Sequence, residues 1–392
     1  MTEQLGDVLK RGRVLKGVSQ GAVGDAVGYS ASWVSRVENN KIRPADTTLV
    51  ALCGVLGLSE EDVGLERDDV HRRKVLTLGL GAGIAAVLPP SASAADPKDL
   101  VEASLFGLPD ARPAPREELA AALAEARAVF HQARYTQLGT NLPALISGSL
   151  ASRAHDIAAR AYVLLAQLAI KNYQGYSWLA ADRARVQAEL TGNPVVMGEA
   201  AHSMAITMRR AGEYQAAIGH LTEAAGRLGQ RDDQLAMRGA LLLTASYSAA
   251  QAGWRGQAMD FIGEAEETAA RKETAAQKLY IPGVFGLDQT RVFRISVHHA
   301  LGEDEQALNY ASKIDMGRLP NAERRGRACM DIARVWRDLG EPDRAFSALR
   351  ALERFAPEEA RRPKVRAITS ELAALNGEIP GLRRFSQRIG AV

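Results

Sequence analysis

Between residues 19 and 41 stand two side chains that can cap helices, Ser19 and Ser30, and three that can hydrogen-bond to anionic or base-like acceptors, Gln20, Arg36 and Lys41. Ser19, Gln20 and Ser30 stand where two short helices would begin, and there the backbone N–H groups have no partners of their own. Arg36 can present two parallel donors to a planar acceptor, and Lys41 offers a point charge. These groups recognise phosphates and base edges; they do not make or break bonds. The rest of the chain holds no catalytic signature. There is no G-x-S-x-G, P-loop or H-E-x-x-H. The seven histidines are scattered, and His298 and His299 would put their rings about 100° apart on a helix, unsuited to one metal. The acid pairs Glu266-Glu267 and Glu358-Glu359 read as solvated helix faces. The expectation is a non-enzymatic chain without cofactor or metal.

The elements around those residues follow from hydrophobic spacing. Ala22, Val23, Ala26 and Val27 recur at helical intervals, and Gly28 stops that helix. Ser30 caps a second helix running through Val34 and Val37 to Glu38. Two short helices joined by a tight Gly turn form a helix-turn-helix, whose second helix fits the DNA major groove. Leu5, Val8, Leu9 and Leu15 form the stripe of a leading helix, and Leu49, Leu52 and Leu56 that of a closing helix after Pro44.

On Gln20, Ser35, Glu38 and the tail Asn39-Asn40-Lys41 leading to Pro44, residues 1–66 resemble the helix-turn-helix domain of the Cro/C1 or xenobiotic-response-element class. The resemblance implies that Gln20 braces a phosphate and the first base pair. It puts Ala31, Ser32, Ser35 and Arg36 toward the groove, with Ser30, Asn39 and Lys41 completing the DNA-binding set. An Arg reaching both acceptors of a guanine contributes about 1–3 kcal/mol of discrimination. Arg13 and Glu38 match the pair that ties the first helix to the third in this class. Two positions depart from the pattern. Gly24 replaces Ala, costing about 1 kcal/mol of helix propensity. Asn40 replaces Gly, but Asn tolerates the left-handed backbone needed there.

Composition bounds the remainder. At 392 residues there is room for two or three domains, and 5% aromatic content with abundant Ala favours packed helices. No sustained alternating run predicts a strand. The net charge is +3, and the first 58 residues carry seven Lys/Arg against five acids. One such domain should bind DNA weakly and two copies usefully. Cys53 and Cys329 sit apart in apolar helical patterns, as reduced core residues of a cytoplasmic protein.

Residues 72–95 need separate treatment. Arg72-Arg73-Lys74, an apolar run over 75–88 and an Ala-x-Ala-like end have the layout of a twin-arginine export signal. A complete DNA-binding pattern precedes it, and 14 apolar residues fall short of the about 20 that span a bilayer. An internal helix followed by a linker is the expectation, with no membrane partner. The Gly81-x-Gly83-x-x-Ala86 match to a dinucleotide fingerprint fails because Pro89-Pro90 follows and no βαβ pattern does. The Pro-rich stretch to residue 116 completes the linker, with a short helix predicted at 100–106 and a longer one at 117–134.

Beyond that the chain repeats. Gly212, Gly253, Gly302 and Gly340 each stand five residues before an Ala and six before a large apolar residue, and Gly175 is a looser copy. Their spacings of 37, 41, 49 and 38 residues suit helical hairpins in which Gly closes the first helix. This register resembles tetratricopeptide repeats. The two halves together resemble actinobacterial-type regulators that join a Cro/C1 domain to such an array, as do peptide-sensing Gram-positive relatives. The first helix of each hairpin would line a concave groove carrying Asn172, Tyr173, His202, Arg209, Tyr247, Gln251, His299 and Arg337, with Tyr162, Arg210 and Arg334 on the same face. Asn and Gln suit a peptide backbone and Arg suits a carboxylate.

The sequence thus predicts an all-α protein. Residues 1–66 would form the DNA-binding domain, 67–116 an apolar helix and linker, and 117–392 an α-solenoid of tetratricopeptide-like hairpins. It would act as a dimeric, sequence-specific regulator on a pseudo-palindromic double-stranded operator. A peptide, small molecule or protein would be its effector. The rival reading is an interaction scaffold with incidental DNA binding.

Overall fold

The computed structural model describes residues 4–27, 29–44, 46–65, 97–172, 175–270, 277–278, 284–375 and 379–391. The predictions for residues 72–95, the Gly28 turn and Tyr173 lie outside these. The protein is all-α. Its N-terminal domain holds α1 (Leu5–Leu15), α2 (Gln20–Val27), α3 (Ala31–Glu38) and α4 (Asp46–Leu56), closed by a 3-10 turn at Glu61–Val63. Val8, Leu9, Val23, Trp33, Val37, Leu49 and Leu52 form one buried cluster. Burying each large side chain contributes about 1.5–3 kcal/mol.

Leu15 does not join it. The residue is 82% exposed at the end of α1. The packing on that side is made by Gly12, where a Cβ would lie 2.9 Å from Leu58 Cδ1. Gly24 also has a reason. A Cβ there would sit 2.6 Å from the carbonyl oxygen of Tyr29, so the usual Ala would push the turn before α3 outward. Asn40 is left-handed, with φ 56°, and its Oδ1 accepts from Gly6 N at 2.8 Å.

The second domain begins earlier than the apolar periodicity suggests. Helix α5 (Pro97–Phe106) buries Val101 and Leu105 in the same cluster as Phe130 and Leu138. It therefore packs with the repeats and is not linker. Hairpins follow in order: α6 (Arg116–His131) with α7 (Tyr135–Ala151), α8 (His155–Lys171) with α9 (Ser177–Glu189), and α10 (Pro194–Arg210) with α11 (Tyr214–Gly226). Then come α12 (Asp232–Gln251) with α13 (Arg255–Ala270), α14 (Leu287–Ala300) with α15 (Asp304–Ala311), and α16 (Ala322–Asp338) with α17 (Pro342–Phe355). Gly212, Gly253, Gly302 and Gly340 turn four of these hairpins with φ between 78° and 83°, a region that L side chains rarely adopt. Gly175 shows no such φ. The chain ends in α18 (Pro357–Ala360), α19 (Pro363–Leu375) and α20 (Leu382–Ile389).

One feature had no signal in the alternation of residues. Gln277–Lys278 pairs antiparallel with Val284–Phe285, which seats Phe285 against α12. A Cβ at Gly239 would meet the Phe285 ring at 2.0 Å, so only Gly admits it.

The first helices of successive hairpins, α8, α10, α12, α14 and α16, stand side by side. The solenoid then closes on itself. Tyr135 donates to Glu359, and Thr136 N donates to Glu358 Oε2 at 2.9 Å. Lys171 Nζ pairs with Glu323 Oε1 at 2.7 Å and with Glu359. Ala356, near the C-terminus, shares a buried cluster with the first hairpin. Among the described residues no helix is long and apolar enough to cross a membrane, and no group of three side chains is arranged to hold a metal.

Candidate nucleic-acid interface

Helix α3 starts at Ser30, whose extended backbone and hydroxyl, accepting from Trp33 N at 3.1 Å, end the turn and begin the helix. Trp33, Val34 and Val37 face the core, which leaves Ala31, Ser32, Ser35 and Arg36 on the other side. Behind the helix, Arg13 forks onto Glu38 with contacts of 2.5 and 3.0 Å, and this hydrogen bonding raises the Arg13 pKa. Gln20 Nε2 donates to Glu38 Oε2 at 2.7 Å, so its N–H points inward. Asn39 Nδ2 folds back onto Ser35 O at 2.7 Å, while Lys41 is exposed.

The outward face of α3 is half-buried and only partly open to solvent. It meets the repeats. Ser30 Oγ donates to Asp338 Oδ2 at 2.6 Å, and Asp338 Oδ1 accepts from Arg337 Nε at 2.8 Å. Burial opposes ionisation of Asp338, but Arg337, His299 and the Ser30 hydroxyl hold its pKa below the usual range. Arg36 Nη2 lies 3.6 Å from Asp304 Oδ2, and Asp304 Oδ1 meets His299 Nδ1 at 2.8 Å. Ser32 packs on the Gly302 turn, where a Cβ at 302 would sit 2.6 Å from its own Cβ. The Arg337 guanidinium lies 3.9 Å from the ring centroid of Tyr29, which stacks on Trp33 at 3.6 Å. Helix α2 docks as well. Asp25 accepts from Tyr214 OH at 2.6 Å and from Gln251 Nε2 at 2.7 Å.

Carboxylates thus occupy the positions at which α3 would meet a polyanion. Arg36 is poorly satisfied by this partner: its Nε and Nη2 are buried without a hydrogen bond. A guanidinium in a long single ion pair forgoes the bidentate contact it is shaped for.

Inside the closed solenoid is a cavity of about 340 Å3, bounded on one side by Asp25 and Ala26 of α2. His202, Arg209, Tyr247 and Gln251, from the predicted groove, line it together with Arg210 and Arg334. The Arg209 guanidinium lies over the Tyr247 ring at 4.6 Å. Burial, then Arg324 and Arg209, push the His202 pKa down to about 3, so its imidazole is neutral. The other predicted groove residues lie elsewhere. Asn172 ends α8 with its Nδ2 buried and without a hydrogen bond. Tyr162 faces Arg183 at 5.9 Å. His299 and Arg337 belong to the contact with α3, because their late positions on α14 and α16 bring them to the end of the solenoid where that domain sits. Lys171, Arg327, Lys364 and Asp25 also line the cavity. Sequence spacing gave no sign of them, since closure of the solenoid and docking of α2 bring them in.

Residues 4–65 match the family described as "Helix-turn-helix domain". No curated protein matches the chain. Among solved structures, the crystal structure of Bacillus thuringiensis PlcR in complex with the peptide PapR7 and DNA is 13% identical, covers 90% of this chain and 94% of its own, and has a TM-score of 0.36. The chain carries an N-terminal helix-turn-helix domain.

Proposed function

We propose that the protein is a cytoplasmic, non-catalytic, sequence-specific DNA-binding regulator of the Cro/C1 type, in which the helical repeats hold the reading helix in a closed state. One observation carries this. Ser30, Ser32 and Arg36, the residues that the helix-turn-helix pattern aims at DNA, are met by Asp338, the Gly302 turn and Asp304. In that state the major groove cannot reach α3. Opening would free it, and two copies on a pseudo-palindromic operator would supply the phosphate contacts that one modestly basic domain lacks. The repeats would then be the sensing half, and an effector in the cavity would shift the closed-to-open balance.

The test is selection of bound fragments from a random DNA pool, followed by anisotropy titration at two salt concentrations. Wild type should select a sequence weakly, and Asp338→Asn should bind it more tightly, with affinity falling as salt rises. Equal, weak binding to every sequence by both proteins would end this reading in favour of an interaction scaffold.

A further inference from the structure

The cavity lining carries more cations than acids, although Glu359, which is not part of the lining, pairs with Lys171 and Arg362. Eight Lys and Arg side chains line it against three acids. The acids are largely committed. Glu323 accepts from Lys171 at 2.7 Å. Asp331 receives Ser296 Oγ at 2.7 Å and Arg327 Nε at 3.1 Å, with Arg334 Nη1 at 3.9 Å. Removing a cation from water is unfavourable unless an anion compensates it. Among the described residues Arg209 lies over the Tyr247 ring without a hydrogen bond or ion pair, and half-buried Lys364 makes neither. Two further nitrogens on the cavity wall, Arg334 Nε and His202 Nδ1, belong to residues 4% exposed and have no hydrogen-bond partner.

The third acid is Asp25, and it comes from the other domain. Burial lowers the pKa of both Arg209 and Lys364, the latter well below its ordinary value, and Asp25, held at the cavity edge by Tyr214 and Gln251, partly offsets this in place of a bound anion. A tethered carboxylate standing over an under-neutralised cationic cavity behaves as a built-in competitor for an anion. The volume lies at the small end of the range for ligand pockets, too small for a folded partner.

We propose that this cavity binds a small molecule bearing at least two anionic groups, phosphate or carboxylate, and that the ligand displaces Asp25 and so loosens the helix-turn-helix domain. The ligand site stands on the cavity alone; its regulatory consequence rests on the DNA-binding reading above. Arg209 and Lys364 take one anionic group, in place of Asp25. Arg334, which shares Asp331 with Arg327, takes the other, with the neutral imidazole of His202 as a hydrogen-bond partner.

Calorimetric titration of the full chain with pyrophosphate and with citrate, at matched ionic strength, tests this. At least one should bind, and which one separates a phosphate from a carboxylate ligand. Arg209→Gln and Lys364→Met should each weaken binding at least about tenfold, and Asp25→Asn should tighten it by removing the competitor. Lys364 is half-buried, so its variant reports even where Arg209→Gln fails to fold. Binding of neither anion overturns the proposal, as does binding that Lys364→Met leaves unchanged. DNA selection by the same proteins is a separate readout. If it persists while no anion binds, only the ligand site falls. If it is absent while anions bind as described, only the regulator reading falls.

Discussion

Ser30 Oγ donates to Asp338 Oδ2 at 2.6 Å, joining the cap of the reading helix to the last residue of α16 across 308 positions of sequence. The same hydroxyl accepts from Trp33 N, so one side chain both starts α3 and holds it closed. A carboxylate at a helix N-terminus is favoured by the helix dipole, as a DNA phosphate would be. Asp338→Asn keeps the shape and removes the charge. It should raise affinity for a selected operator between about 5- and 150-fold, the usual span of coupling between two sites. Anisotropy titration of both proteins measures it, and equal affinities would mean that this contact does not limit DNA binding.

Arg36 has two opposed roles in this scheme, and DNA decides which dominates. Its ion pair with Asp304 is long, so loss of the closing contact should change little. Loss of a base contact is larger. Arg36→Ala should cost about 1–3 kcal/mol on the selected operator and relax preference at one base pair per half-site. Lys41→Ala should weaken binding to all sequences about equally, because exposed Lys41, in the tail beyond α3, is expected to contact phosphate and not a base edge. Side-by-side titrations on operator and scrambled DNA separate the two.

Local chemistry was readable in advance, and long-range closure was not. Caps, turn glycines and the Arg13–Glu38 fork are set within 40 residues by spacing and residue type. The repeat register likewise pointed to Arg209, Tyr247 and Gln251, which line the cavity, because counting back from each closing glycine puts them in the last two turns of a first helix. Spacing could not say that α3 would dock on the ends of α14 and α16, so His299 and Arg337 read as groove residues. Nor does any local pattern reveal that Glu359 reaches Lys171, 188 positions away. Leu15 departs from its stripe for another reason: the periodicity extends to it, but α1 ends there.

That closure predicts a pH dependence. Burial opposes ionisation of Glu359 and Glu323, yet Arg362 and Lys171 for the first, and Lys171 and Arg324 for the second, hold both below the usual range, Glu359 to about 2. An unfolded Glu titrates near about 4.3. Because the folded values are lower, the stabilisation is fully present above that pH and is lost as pH falls toward about 2. Thermal melts from neutral pH downward should show the melting temperature holding and then dropping in that window. Lys171→Met leaves two buried acids short of a cation and should cost about 3–5 kcal/mol at neutral pH. It should also flatten the acid limb, since the two pKa values would rise toward their unfolded values. A variant whose melts match wild type at every pH would show that the Lys171 pairs do not hold the solenoid closed.

Gly24 offers a test in which two effects have opposite signs. Ala is the better helix former by about 1 kcal/mol, so Gly24→Ala should stabilise α2 if propensity decides. The Cβ would, however, lie 2.6 Å from Tyr29 O and 3.1 Å from Ser30 O. Backbone cannot rotate aside as a side chain can, so the 29–30 segment must move. That segment carries the Tyr29 ring under Arg337 and the Ser30 hydroxyl on Asp338. Overpacking of this kind costs about 1–3 kcal/mol, which outweighs the propensity gain. Gly24→Ala should therefore lower the melting temperature of the full chain while raising operator affinity, because strain falls on the closed contact. Asp338→Asn combined with Gly24→Ala should bind DNA no more tightly than Asp338→Asn alone, since both act on one contact. Fully additive gains in the double variant would place the effect of Gly24 elsewhere than the Ser30–Asp338 contact.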